Sequence, residues 1–361
     1  MTHPPDFSIN GRFLHAAPTG VQRVAYNLIR SLDSILEASS EFAQEFEVLT
    51  PAGPRRSLPT ARIPIREIGR STGQVWEQLA LPTASGRGRL INLCNAAPLL
   101  ADSAVTMIHD GQVFITPDSY SRKFAGWYRF SQPRICARAK VVLTVSEYSK
   151  RILVENRVAP EDKIMVIHNG IDHVLSFPAI PETCSKLGLV PFDYVVIFAN
   201  FQKHKNFELI LRLWARGHMD RLKLVVIGDV DWDGVKSHYG LDAIPDVLLA
   251  GRLSDGAVRA LLESAVCLAF PSTTEGFGLP PLEAMLLGCP VVVAPMGAVP
   301  EVCGEAAIYA DPDRPDAWRA AIFEQKGRGQ EPQQRADLQR HASAFTWRRA
   351  ADQLLALLDG V

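Results

Sequence analysis

Several shortages in this sequence narrow what it can be. Only six of its 361 residues are cysteine and none forms a CxxC pair, so no disulfide framework is encoded. Cys94, Cys136, Cys184, Cys267, Cys289 and Cys303 lie mostly in apolar segments and read as reduced core residues of a cytoplasmic protein. No apolar run exceeds the length of a strand, and the amino-terminal MTHPPDFSIN has neither a basic n-region nor an apolar core. The sequence therefore predicts neither a membrane span nor a secretory leader. A net charge of -1 gives no general attraction for nucleic acid. Internal repeats are missing too. Hydrophobic residues at 47% and charged residues at 21% match an ordinary globular protein, which excludes disorder and fibrous repeats.

What is present is chain enough for two domains and a local excess of positive charge. Through residue 180 there are 20 Lys+Arg against 16 Asp+Glu, and the remainder holds 18 against 23. Arg55, Arg56, Arg62, Arg66, Arg70, Arg87 and Arg89 supply much of the excess. That stretch reads either as a solvated face or as one turned toward anionic lipid or a pyrophosphate-bearing acceptor.

Hydrophobic periodicity then orders the chain. Residues 7–10 (FSIN) read as a short first strand, and Val21, Val24, Ala25, Leu28, Ile29, Leu32, Ile35 and Leu36 keep helical spacing behind a Thr19 cap. Strand-like segments follow at 46–49 and 62–68, then WEQLALP, RLINLCN and AVTMIHD, a helical stretch at 120–140 and the strand VVLTVS. FPAIP at 177–181 reads as a proline-stiffened linker, and the domain boundary is placed at 178/179. Beyond it YVVIFAN, LKLVVIGD, VLLAGRL and VCLAFPS alternate with helical segments, the pattern of a parallel sheet covered on both faces. FTWRRAADQLLALL closes the chain as an amphipathic helix.

The stretch Pro271–Pro290, PSTTEGFGLPPLEAMLLGCP, carries the densest chemistry. A strand ends in a Ser/Thr loop, crosses Gly276 and Gly278, and enters a helix that Gly288 can stop. A helix start at the end of a parallel strand offers free N–H groups and a positive dipole end, which suits phosphate. Glu275 and Glu283 bracket the turn, and ionised carboxylates suit the hydroxyls of a sugar or ribose. Alone, each would read as a solvated charge.

EGFGLPPLEAMLLGCPVVV, followed by VPEVCGEAAIYADP, resembles the donor-site signature of the retaining GT-B glycosyltransferases of family 4 type, group 1, which include bacterial polysaccharide mannosyltransferases. The resemblance implies an α/β GT-B fold: two Rossmann-like, doubly wound domains facing an interdomain cleft. Residues 1–178 would bind the acceptor, 179–344 the nucleotide sugar, and 345–361 would cross back to the first domain as a helix. By the same resemblance Lys205 stabilises the diphosphate, and Lys203 and Arg23 stand where they can assist. Gly20, Gly276, Phe277, Gly278 and Leu279 offer backbone contacts around donor sugar and phosphate. Glu275 holds sugar hydroxyls, Glu283 the ribose, and His109, at the end of AVTMIHD, orients the sugar. Where related enzymes carry an arginine paired with this lysine, this chain has Asn200, which puts a two-cation clamp in question.

The implied reaction retains anomeric configuration, with the leaving phosphate oxygen taking the acceptor proton. No cofactor is implied beyond the nucleotide sugar as co-substrate, GDP-mannose first and a UDP- or dTDP-hexose second. A glycan or lipid-linked saccharide would accept, with peripheral contact at the inner face of the cytoplasmic membrane. DVDWD at 229–233 has DxD spacing but follows a strand, where acidic residues usually form turns, so no metal is expected. A dehydrogenase is disfavoured because no GxGxxG follows a strand with an acidic residue about twenty positions on. A nucleotide-sugar epimerase and a non-catalytic nucleotide-sugar binder remain as alternatives, Asn200 favouring the latter.

Overall fold

A computed structural model describes residues 5–38, 44–86, 89–328 and 331–360. Arg87 and the first four residues of the amino-terminal stretch, both read above, lie outside them. The chain forms two units: Met1–Pro117, Ser121–Gly170 and Thr346–Val361 make the first, Asp118–Tyr120 and Ile171–Phe345 the second. The chain thus passes to the second unit at Gly170, ahead of the FPAIP stretch where the boundary was expected. Two sets of hydrogen bonds explain this. The Ile171 N–H donates to the Phe345 carbonyl at 3.0 Å, and the Arg259 guanidinium holds the carbonyls of Leu175 and Phe177 at 3.0 and 2.9 Å.

The first unit is built on a parallel seven-stranded sheet. Its strands are β1 (Phe7–Asn10), β2 (Phe46–Thr50), β3 (Ile65–Glu67), β4 (Leu90–Asn92), β5 (Ser103–Met107), β6 (Ala139–Thr144) and β7 (Ile164–Val166), in the order β3-β2-β1-β4-β5-β6-β7. β1, β2, β4 and β5 are buried throughout, as strands covered on both faces must be. The helix Gly20–Ala38 turns Val24, Leu28, Ile29, Leu32, Ile35 and Leu36 into the core. At its start the Gln22 side chain reaches back, its Oε1 accepting from the Thr19 N–H at 3.1 Å and from the Thr19 hydroxyl. Along it lies the helix Trp347–Leu358, which buries Ala350, Leu354, Leu355 and Leu358.

One local reading needs correction. Of the strand-like stretch 62–68 only Ile65–Glu67 is strand, because the Asp33 carboxylate collects the N–H groups of Ala61, Arg62 and Ile63 at 2.7–2.8 Å and turns the chain there. In the arginine stretch, two of the seven side chains are paired with carboxylates within the unit and Arg62 and Arg70 are exposed. Arg55 pairs with Glu67, Arg66 grips Glu47 with two nitrogens at 2.8 and 2.9 Å, and Arg56 donates to the Phe13 carbonyl.

The second unit has six parallel strands, β8 (Tyr194–Phe198), β9 (Lys223–Ile227), β10 (Val247–Gly251), β11 (Cys267–Phe270), β12 (Val291–Val293) and β13 (Ile308–Tyr309), in the order β10-β9-β8-β11-β12-β13. Ile210, Leu211 and Trp214 of the helix Phe207–Ala215 pack with Trp318 and Ile322 in its core. In each sheet the first strand has neighbours on both sides: β1 lies between β2 and β4, and β8 between β9 and β11. At such a reversal of strand order the loops leaving the carboxyl ends diverge, and α/β sheets hold ligands in the gap.

Candidate functional site

At the reversal point of the second sheet, the loop after β8 meets the loop after β11. The Thr273 N–H donates to the His204 carbonyl at 2.7 Å and ties the two loops together. Lys205 Nζ then lies 2.7 Å from Glu275 Oε1, with the side chains 25% and 12% exposed, and the ammonium stands 5.8 Å from the centre of the Phe270 ring. Two residues separated by seventy positions become an ion pair through strand order alone. Partial burial matters here, because each charge is screened less than on an open surface and removing one strands the other.

Glu275 is held from behind by the loop after β12. The Ala298 N–H donates to the Glu275 carbonyl at 3.0 Å. Gly297, at φ +66°, lies so close that a Cβ there would stand 2.5 Å from the Glu275 nitrogen. Gly278 takes φ +102° to turn the chain from the strand loop into the helix Leu279–Leu286. Gly276, Gly278 and Leu279 thus lie in the turn that opens the helix. Phe277 differs: its side chain is 4% exposed and packs edge-on against Phe345, ring centres 6.0 Å apart, so only its backbone is a candidate for ligand contact.

Glu283 sits just past the first turn of that helix with a partner that the sequence did not announce. His173 Nε2 lies 3.2 Å from Glu283 Oε1, and the side chains are 4% and 15% exposed. His173 belongs to the short 3-10 turn Asp172–Ser176, which packs on the helix. Asn200 and Lys203 share the loop with Lys205 but are not joined to the pair. Asn200 closes a local turn with Gln202, accepting its N–H at 2.9 Å and donating to its Oε1 at 3.0 Å. Lys203 is exposed. His204, between the two lysines, is 3% exposed; burial is the main reason its pKa is lowered to about 4, and Lys205 adds to the effect. Two of the three DVDWD carboxylates have other duties: Asp231 caps the helix Trp232–Tyr239 and Asp229 pairs with Arg252.

Gly20, Arg23 and His109 belong to the first unit. Gly20 opens the helix Gly20–Ala38, and Arg23 lies one turn along it, its N–H on the Thr19 carbonyl at 2.9 Å. His109 is 6% exposed, and its Nε2 is 2.8 Å from the Leu93 carbonyl. A carbonyl only accepts, so Nε2 carries the proton and Nδ1 is the ring's acceptor. Burial lowers the His109 pKa to about 4, so the ring is neutral at physiological pH.

At the reversal point of the first sheet, beyond the ends of β1, β2 and β4, lies a cavity of about 430 Å³ lined by Arg12, His15, Gln22, Glu77, Cys94 and Tyr128 among others. Its volume is typical of a small-molecule site. Glu77 is nearly buried between Arg12 Nε at 3.2 Å and Asn10 Nδ2 at 2.9 Å. Burial pushes its carboxyl above the usual carboxylate range against the pull of both partners. Sequence reading passed over this residue, although a charge inside the apolar WEQLALP was a signal. That segment is helical, with a wide turn at Trp76–Ala80 that brings Glu77 inward.

Residues 90–175 match the family profile described as Glycosyltransferase Family 4, and residues 193–324 the one described as Glycosyl transferases group 1. The O-antigen chain mannosyltransferase RfbU of Salmonella typhimurium is 27% identical over 254 residues, covering 68% of this chain and 67% of the relative. O-antigen chain mannosyltransferase B of Escherichia coli is 29% identical over 63% of this chain and 62% of its own. The MMP alpha-(1->4)-mannosyltransferase of Mycolicibacterium hassiacum is 29% identical over 73% and 65%. The matched part thus spans about two thirds of these relatives' lengths. Among solved structures, sucrose-phosphate synthase from Thermosynechococcus elongatus superposes with a TM-score of 0.74 at 16% identity, covering 99% of each chain. Anabaena Alr3699/HepE, solved in complex with UDP and glucose, gives 0.70 at 18%, covering 99% of this chain and 100% of its own. At such identities the likeness is one of fold.

Proposed function

The chain belongs to the group 1, family 4 glycosyltransferases and has the GT-B fold, and on that premise we propose that it moves a hexosyl unit, mannosyl first, from a nucleoside-diphosphate sugar to a saccharide or lipid-linked acceptor in bacterial surface polysaccharide synthesis. Relatives named as O-antigen chain mannosyltransferases support the sugar and the pathway class. The observation that carries the donor reading is the Lys205–Glu275 pair at the reversal point of the second sheet.

In the proposed reaction the bond from the anomeric carbon to the diphosphate oxygen breaks, and negative charge gathers on the leaving phosphate. A preorganised ammonium at that point stabilises the charge as it develops. Lys205 fills this role, aided by the Gly278 and Leu279 N–H groups at the entry of the helix Leu279–Leu286, Pro280 and Pro281 having none to donate. As Lys205 turns toward phosphate, Glu275 is released to accept from sugar hydroxyls, while Glu283 takes the ribose with His173 behind it. The acceptor hydroxyl adds on the face the phosphate leaves, passing its proton to the leaving oxygen, so configuration is retained without a protein base. Neutral His109 would orient the donor sugar. The cavity around Glu77 would take the acceptor, its carboxylate and Arg12, His15 and Gln22 presenting both acceptors and donors to hydroxyls. The reaction needs no metal in this reading, and the enzyme works from the cytoplasmic side.

Thermal-shift screening against GDP-mannose and UDP- and dTDP-hexoses, followed by assay of nucleoside diphosphate with and without oligosaccharide acceptors, tests the reading. Stabilisation by GDP-mannose, GDP release only with acceptor, and activity persisting in chelator are expected. Sugar isomerised without acceptor would make it an epimerase. Binding without turnover would favour the second reading, a non-catalytic binder, for which the turn-forming Asn200 in place of a cation is the argument.

A further inference from the structure

In the cavity of the first unit, both partners of Glu77 lie on the same one of its oxygens: Arg12 Nε is 3.2 Å and Asn10 Nδ2 2.9 Å from Oε1. The Asn10 amide is itself fixed, because its Oδ1 accepts the Arg12 N–H at 3.2 Å and its Nδ2 also donates to Asn92 Oδ1 at 3.1 Å. Asn92 in turn donates to the Thr106 hydroxyl at 3.4 Å. Groups on β1, β4 and β5 thus decide which carboxylate oxygen is used within the protein. Among the described residues Oε2 has no hydrogen-bond partner. Yet the side chain is only 3% exposed, and what it faces is the cavity of about 430 Å³.

A buried carboxylate oxygen without a donor is costly, and only a donor relieves it. That requirement selects the chemistry of a ligand. A sugar hydroxyl donates, whereas an ionised phosphate or carboxylate brings charge of the same sign. A second cation is disfavoured because Arg12 already balances this carboxylate. The other walls suit a sugar ring. Gln22 offers both donors and an acceptor, while Phe13, Leu93 and the Tyr128 ring, with the Phe124 ring centre 4.5 Å from it, present apolar surface. We propose that Glu77 decides which acceptors enter: its Oε2 accepts from one hydroxyl of a neutral sugar, and sugars bearing a phosphate or carboxylate at that place are excluded. The inference rests on the reading of this cavity as the acceptor's and adds to it the class of sugar and the atom that selects it.

NMR titration of the full chain, with no nucleotide present, tests this with methyl mannoside, glucoside and galactoside and with their monodeoxy forms. At least one parent hexoside should bind saturably, and removing one particular hydroxyl should weaken it about tenfold, the scale of a hydrogen bond to a charged group. The same sugar phosphorylated at that hydroxyl should not bind. In Glu77→Gln, Asn10 and Arg12 hold the amide oxygen, which sets an NH2 group where Oε2 stood. This variant should bind the parent about tenfold more weakly, bind the deoxy form as the wild type does, and admit the phosphorylated sugar. A merely structural role would weaken parent and deoxy forms alike. Should the variant fail to fold by circular dichroism, the wild-type panel alone decides. The proposal is overturned if no neutral hexoside binds, if the phosphorylated sugar binds the wild type as tightly as its parent, or if the folded variant keeps the wild-type order of affinities. GDP-mannose titrated separately reports on the donor reading, which can fail without touching this one.

Discussion

At the scale of single residues, the site is built from two side-chain pairs. Lys205 Nζ lies 2.7 Å from Glu275 Oε1, and His173 Nε2 lies 3.2 Å from Glu283 Oε1. Lys205→Ala should lower turnover by about a hundredfold or more, the scale of losing one preorganised donor at a developing charge, as measured by steady-state release of nucleoside diphosphate. The buried histidines give a second, independent reading. His109 and His204 have folded-state pKa values lowered to about 4, whereas an unfolded histidine takes a proton near 6.5. Between these values the unfolded chain binds protons that the folded one refuses, so stability should fall as pH drops through about 6.5 toward about 4 and then level. Urea unfolding across that range, with His204→Gln shrinking the slope, checks it.

At the scale of elements, what could be read in advance depended on how local the cause was. Gly20–Ala38 was legible because its apolar spacing is set by one helix packing on one sheet. The turn around Gly276 and Gly278 was legible because glycine, proline and carboxylate in that order leave few other structures. Glu77 was legible only as a charge set in an apolar segment, since a wide helical turn is what brings it inside, and His173 was not, since its partner is more than a hundred residues on. Neither cause is visible in a window of sequence. Asp33 gathering three N–H groups at 61–63 likewise ended a strand that periodicity alone would have continued. The brace behind Glu275 is of this non-local kind, and it is testable. Gly297→Ala would place a methyl 2.5 Å from the Glu275 nitrogen on a backbone at φ +66°. It should cost more than about 1 kcal/mol in chemical denaturation, and raise the donor KM as the Glu275 loop is pushed aside.

At the scale of the molecule, two parallel sheets each reverse strand order about their first strand, and each carries its charged groups beyond the carboxyl ends of the strands at that reversal. In the second unit this is the lysine and glutamate pair; in the first it is the cavity around Glu77. Strand order, more than any single motif, puts the chemistry where it is. The central claim is that Lys205 and its glutamates receive a nucleoside diphosphate sugar, and calorimetric titration tests it most directly. GDP-mannose and GDP titrated into the wild-type chain, Lys205→Ala and Glu283→Ala should show saturable binding that both variants weaken tenfold or more. Unchanged affinity in Lys205→Ala and Glu283→Ala alike would contradict the account.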